Sequence, residues 1–293
     1  MSRIVLAVAL LGFAAIAQGA EPISGTLTSS PTGEISIIVV RGSVKVVGID
    51  GDQVSVEGTR DDRSEAFVFE RTGDVVTIED KLPKHTSRGA GTQLTVRVPR
   101  DSRMRVRLVS ANLDIADVHG AARIATVSGT VSARGLGSDT EISTVSGNVS
   151  IQDASGEVRL DTVSGKIDAR IAASRLAARS VSGRVQIDNT QALGRGNMAT
   201  VSGYLSLTTP LEPDVELEME TVSGNGTLTF SGPLNVRVNV VGGPGGDIRN
   251  RLDGTPVQRR AAGIGKRLET QLGEGRGYVR ASTVSGNLTV AGP

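Results

Sequence analysis

The chain has 293 residues, no cysteine, 2% aromatic residues and a formal net charge of +1. Those values exclude disulfides, a lipid-modified N-terminal cysteine and thiol chemistry. Setting Arg3 aside leaves 31 Lys and Arg against 31 Asp and Glu, without the basic bias of a nucleic-acid binder.

Residues 1–20 read as a signal peptide. Arg3 precedes an apolar run over residues 4–16, and Ala17-Gln18-Gly19-Ala20 supplies the small residues that signal peptidase accepts, with cleavage after Gly19 or Ala20. The run is too short for a comfortable membrane span, and no later stretch reaches its length. The expectation is a soluble exported chain, periplasmic or extracellular.

Residues 21–108 read as an irregular N-terminal β segment. Val40-Arg41-Gly42-Ser43-Val44-Lys45-Val46 sets apolar residues and a glycine at alternate places, and Ile49, Gly51, Val54 and Val56 continue the pattern with one inserted residue, so the first solenoid turn is placed here. Residues 65–70 and 74–78 flank Arg71-Thr72-Gly73, a hairpin signal, and a loop containing His85 is expected over residues 83–91. Arg97, Arg100, Arg103, Arg105 and Arg107 crowd the next stretch, the last three alternating with Met104, Val106 and Leu108. They read either as the solvated face of a strand or as a stripe for an anionic envelope polymer.

Residues 109–293 read as a regular β-solenoid. Seven copies of Ser/Thr-Val-Ser-Gly close on Gly129, Gly147, Gly165, Gly183, Gly203, Gly224 and Gly286, the first four spaced by 18. Repeats of this size are single supersecondary units that bury their apolar face only by stacking. Counting from Val127, apolar residues fall at steps 0, 4, 6, 9, 13 and 15, which makes each unit two nonapeptides. Val145, Val149, Ile151, Ala154, Val158 and Leu160 fill the pattern completely. Step 2 of each nonapeptide is small, as at Gly129, Gly147 and Gly156, and reads as a place of close approach or, alternatively, as a bend. Residues two apart on a strand share a face, so steps 0, 2, 4 and 6 are expected inward, with the corner between steps 6 and 9. The predicted architecture is all-β: a single-domain parallel β-solenoid of about 18 residues per turn, each turn giving two short strands to two parallel sheets.

Placing Val127 and its equivalents inward puts the flanking hydroxyls outward. The pairs Thr126/Ser128, Thr144/Ser146, Thr162/Ser164, Ser180/Ser182 and Thr200/Ser202, continued by Thr221/Ser223 and Thr283/Ser285, would then form a two-column array. Such an array reads as ordinary strand surface bonding along the ladder, or as a flat docking face for an envelope glycan, a protein partner or, less readily, ice. Beyond Gly183 the spacing drifts to 20 and 21, and a Gly/Arg-rich loop is expected over residues 242–277, with a short helix near 257–262.

The Val-Ser-Gly turns, the leading stretch over residues 40–58, the Leu94-Thr95-Val96-Arg97-Val98-Pro99-Arg100 strand and the closing stretch over residues 265–286 resemble the bacterial exported VSG-repeat β-solenoid family of unknown function catalogued as putative adhesins. The similarity runs from about Ile35 to Val290. It implies a secreted or envelope-associated β-helix and carries over no catalytic residue.

An enzymatic reading competes, because long β-helices include polysaccharide lyases and hydrolases that cluster carboxylates on one wall. Asp114, Asp153, Asp161 and Asp168 do not all fall at one step of the repeat, and His85 and His119 lack metal-ligand companions. Phe67, Phe69, Tyr204, Phe230 and Tyr278 are too few for a sugar-stacking cleft. No step holds the fixed Asp of a calcium-binding β-roll, and Gly263-Ile264-Gly265-Lys266 lacks the phosphate-loop spacing. The sequence therefore points to a non-catalytic binding or structural element of the cell envelope without cofactor or metal, with a polysaccharide-active enzyme and a self-assembling scaffold as alternatives. Solenoid ends expose strand edges, yet Pro293 suggests a blunted one, so a monomer is expected, with end-to-end assembly as the alternative.

Overall fold

The computed structural model describes residues 21–83, 89–137, 139–260 and 265–293. The signal peptide, His85 and parts of the phosphate-loop-like string and of the predicted helix lie outside these residues. Within them the chain is all-β, with 22 strands and no α-helix.

Strands that end on the Ser or Thr of each tetrapeptide form one wall, and strands that begin after its glycine form the other. In the first wall, Ala122–Thr126 pairs in parallel with Thr140–Thr144, which pairs with residues 158–162. Residues 175–180, 195–200 and 216–221 follow. In the second wall, Val131–Arg134 pairs in parallel with residues 149–152, then 167–170, 184–188 and 204–208. The partner of Ile124 is Ile142, and that of Ile142 is Leu160, so the repeat of 18 is the advance of one layer. The walls face each other: a Cβ on Gly226 in the second would lie 2.6 Å from Met219 Sδ in the first.

Aliphatic columns run the length of the stack. Ile78, Ile37, Val106, Ile124, Ile142, Leu160, Ala178, Met198, Met219, Ala281 and Val240 are buried cross-strand neighbours in that order, one per layer, giving eleven layers. At roughly 4.8 Å per step the ladder is about 48 Å long. Like side chains packing on like in adjacent layers explains how so few aromatics suffice.

Layer order departs from chain order at both ends. Glu34–Ile49 lies between the layer made by residues 75–99 and the later strand Arg103–Ala116. At the opposite end, Gly277–Thr283 and Asn287–Ala291 insert between the layer of residues 216–231 and that of residues 236–251. The expected terminal edge is therefore interior. Antiparallel strands cover the outermost layers: Ala66–Thr72 lies on Val75–Lys81, which realises the expected hairpin, and Gln53–Thr59 lies on Thr92–Pro99 with Pro22–Thr28 beyond it. Lys266–Gln271 covers Val236–Gly242. The segment expected as a long loop over residues 242–277 thus contributes Asp247–Arg251, Gln258–Arg259 and Lys266–Gln271 as strands. Gln258 and Arg259 pair antiparallel with Arg267 and Lys266, where a helix was expected. Hairpin pairing satisfies these backbone groups where a short helix would leave its ends open.

A buried ion pair ties the N-terminal layers together. Layer 34–49 carries Arg41 where the later layers carry the tetrapeptide serine, and its guanidinium donates to Asp61 from Nε at 2.5 Å and Nη2 at 2.9 Å. The Arg63 and Gly91 amides also donate to this carboxylate, which is 1% exposed. The Arg41 hydrogen bonds, more than those amides, hold the Asp61 carboxyl well below the usual carboxylate range, against the opposing effect of burial.

Most apolar steps point inward as expected, with Val131, Ala133, Leu136 and Ile142 all buried. Step 0 does not. Val127, Val145, Val163, Val181, Val201, Val222 and Val284 face solvent, and Thr126, Thr144, Thr162, Ser180, Thr200, Thr221 and Thr283 are buried in their place. The physical reason is a second corner. The strand alternation Ile142 in, Ser143 out, Thr144 in reaches the tetrapeptide unbroken, and the chain then bends at Val145-Ser146 so that two consecutive side chains point out.

Candidate functional site

The tetrapeptide corner is built from local hydrogen bonds. In five of the seven copies the inward hydroxyl of the first residue accepts the amide of the glycine three positions on, as from Gly147 N to Thr144 Oγ1 at 2.8 Å, Gly165 to Thr162 at 2.9 Å and Gly203 to Thr200 at 2.9 Å, while Ser180 and Thr221 make no such bond. Thr, Ser and Asp are suited to such local bonds. The serine amide donates to the valine carbonyl of the preceding layer, as from Ser146 to Val127 and Ser164 to Val145, both at 2.8 Å. Its hydroxyl turns to the same carbonyl, at 3.2 Å from Ser146 and 3.3 Å from Ser164. A Cβ on Gly147 would stand 2.2 Å from the Gly129 carbonyl oxygen, so the glycine is a place of close approach, though to the neighbouring layer and not to the facing wall. At Gly156 the bend reading applies instead, with φ of +84°.

This geometry splits the hydroxyl pairs expected as a docking array. Thr126, Thr144, Thr162, Ser180 and Thr200 are 4–5% exposed and point into the core. Ser128, Ser146, Ser164, Ser182 and Ser202 are exposed, but each hydroxyl is engaged with a valine carbonyl of the layer before it. Two free hydroxyl columns are not presented.

What the corner presents is valine. Val109, Val127, Val145, Val163, Val181, Val201, Val222 and Val284 form one column, each 44–55% exposed. Successive serine-to-valine bonds set them one layer apart, so the column spans about 34 Å. Beside it runs a groove of about 980 Å³, with the valines as one wall, the tetrapeptide Thr residues as floor, and the outward residues one step before them as the other wall. That second wall is small or charged: Ala125, Ser143, Ala199 and Ser282 are interspersed with Arg107, Asp161, Arg179 and Glu220. Farther out on the same face, cross-layer ion pairs cover the strands, including Arg123 with Glu141 at 3.4 Å and Arg195 with Glu216 at 2.8 Å. The arginine stretch follows this rule in part, Arg105 pairing with Glu34 and Arg97 with Glu57.

The carboxylates weighed for catalysis are dispersed only in part. Asp153 and Asp168, with Asp188 and Arg170, line one polar concavity of about 660 Å³ on the second wall. Asp161 lines the valine groove instead. Asp153 and Asp117 occupy the same corner two layers apart, both at φ of 58°, with Gly135 between them at φ of 63°. His119 lies outside, with Nδ1 3.9 Å from Asp101. Phe230 is buried, and Tyr204 carries the Arg184 guanidinium 4.9 Å from its ring centre.

Fold and corner together define an all-β, solenoid-like protein that displays an apolar column. The chain belongs to the Toastrack DUF4097 family, whose model matches residues 33–239. A "putative lipid binding protein" from Parabacteroides distasonis is similar in structure, with 15% identity, a TM-score of 0.50, and coverage of 92% of this chain and 96% of that one. A "putative adhesin" from the same organism covers 94% of this chain and 98% of its own at 11% identity and a TM-score of 0.36. Under such low identity the likeness is one of fold. No curated protein matches the sequence.

Proposed function

We propose that the chain is an exported, non-catalytic β-solenoid of about 18 residues per turn that acts as an adhesin-like binding element of the bacterial cell envelope, engaging its partner along the valine column. One observation carries this reading: eight half-exposed valines are contiguous, with an open groove at their side. Exposed apolar residues scattered singly need no explanation, whereas a continuous apolar strip rimmed by charge marks an interaction surface. A solvent-facing strand surface could carry Thr or Ser at the same place without loss of fold, since the valine side chains contribute little to the core. The N-terminal signal pattern supports export.

The test uses the chain from residue 21 onward, which carries every described strand, mixed with isolated cell envelopes. Val145→Lys, Val163→Lys and Val181→Lys combined should leave circular dichroism unchanged and reduce envelope retention at least tenfold. Retention equal to the parent chain would remove the column from any binding role.

The enzymatic alternative has one feature in its favour, the shared concavity of Asp153, Asp168 and Asp188. Asp168 is tied to Lys166 at 2.7 Å, which suits surface pairing better than proton transfer. Release of reducing ends from envelope polysaccharide by the parent chain, lost on Asp168→Asn, would favour that alternative.

A further inference from the structure

We propose that the partner on the valine column is a second copy of this chain, packed antiparallel about a twofold axis that passes between Val163 and Val181. The proposal rests on the column being an interaction face, and it makes the Lys substitutions act on envelope retention through loss of pairing, since two linked copies bind with avidity. It follows from the order of charges on the opposite wall of the groove. Among the eight positions that precede the valines by two residues, four are charged: Arg107 in the first layer of the column, Asp161 in the fourth, Arg179 in the fifth and Glu220 in the seventh. The others are alanine or serine.

Pairing two columns in the same direction sets each charge against its own kind. Antiparallel pairing about the fourth layer sets Asp161 against Asp161, and pairing about the fifth sets Arg179 against Arg179. Only the axis between them covers all eight valines and brings Asp161 of each copy to Arg179 of the other. In that register Arg107 meets Ser282, and Glu220 meets Ala125, so no like charges oppose. Isologous contacts of this kind are self-complementary and close at two copies, and opposed charges fix their register. Valine then packs on valine along the seam, and beside it the charged walls of the two grooves face each other. This departs from the monomer expected from sequence.

Sedimentation equilibrium of the chain from residue 21 onward should show a dimer, and Val163→Lys a folded monomer. Asp161→Arg should weaken association at least tenfold, and adding Arg179→Asp should restore it. Because the chain has no cysteine, register can be read by oxidation: a mixture of Val127→Cys and Val222→Cys chains should give the mixed disulfide dimer, and neither alone should cross-link. A monomeric parent chain, growth beyond two copies, or 127-to-127 cross-linking overturns the proposal. If the parent is monomeric while Val163→Cys is shielded from a maleimide by envelopes or by phosphatidylglycerol vesicles, the occupant is another molecule and the recognition reading survives. If nothing shields it, both fall.

Discussion

A Cβ placed on Gly165 would lie 2.1 Å from the carbonyl oxygen of Gly147 in the neighbouring layer. Neither glycine has a left-handed φ, so the demand is for space alone. The obstacle is backbone at a corner between two ladder strands, and no rotamer change can relieve it. Gly165→Ala is expected to cost about 3 kcal/mol or more, the upper range for overpacking. Gly232 provides the contrast: its φ is +82° with nothing within 4 Å, so Gly232→Ala meets only left-handed strain, about 1 kcal/mol. Urea unfolding of both variants ranks them, and equal midpoints would refute the packing argument.

Adjacent positions in one tetrapeptide should respond in opposite ways. Thr162→Val keeps the shape but deprives the Gly165 amide of its acceptor, a loss of about 1–2 kcal/mol for a buried unpaired donor. Val163→Thr changes an exposed side chain and is expected to stay within about 0.5 kcal/mol. Ser180 Oγ has no hydrogen-bond partner among the described residues, so Ser180→Ala should also be nearly silent. Thermal melts of the three, with Thr162→Val alone displaced downward, test the orientation of the corner.

The repeat length, the parallel stacking and the columns of Ile124, Ile142 and Leu160 were legible because hydrophobic spacing reports which residues share a layer face. Apolar character alone reads Val145 as inward, whereas the corner turns it out. Ile142-Ser143-Thr144 held the correct signal: strand alternation carried through the upstream residues places Thr144 inside and leaves Val145 at a bend. A threonine whose hydroxyl meets a local amide can be buried as readily as valine, and pattern alone gives that little weight. The end layers were less legible still. Which layer Asn287–Ala291 joins is decided by pairing with residues 225–231 on one side and 247–251 on the other. Contacts so distant along the chain leave no periodic trace. The strands within residues 242–277 were masked by Gly and Arg, which look like loop until antiparallel pairing supplies their hydrogen bonds.

Acid should weaken the N-terminal layers. Asp61 has a folded pKa below its unfolded value near 3.8, because Arg41 hydrogen-bonds the charged form. The unfolded chain therefore takes up the proton first on acidification. The stabilisation is complete above about pH 5 and is lost as pH falls through the unfolded and then the folded value. Asp61→Asn should lower stability at neutral pH by about 3 kcal/mol, as expected when one partner of a buried pair is removed, and should flatten the decline between about pH 5 and pH 2. A parallel decline in parent and variant would show that other carboxylates govern acid sensitivity.

The interior placement of residues 277–291 gives the last strands a role beyond closing the chain. Gly277–Thr283 pairs with residues 216–221 on one side and 236–242 on the other, and Asn287–Ala291 likewise lies between two strands. Removing residues 277–293 takes out buried Val279, Leu288 and Val290, on the order of 6 kcal/mol of apolar burial, and severs the ladder on both faces. Layer 236–251 then loses its parallel partner and keeps only its antiparallel cover. Limited proteolysis of the truncated chain should cut within residues 232–276 while residues 103–208, several layers away, remain protected, because nearest-neighbour contacts govern stability in stacked repeats. Protection of residues 236–251 equal to that in the full chain would mean that the layer had restacked directly on residues 216–231, and would show that the insertion is dispensable for closing this end.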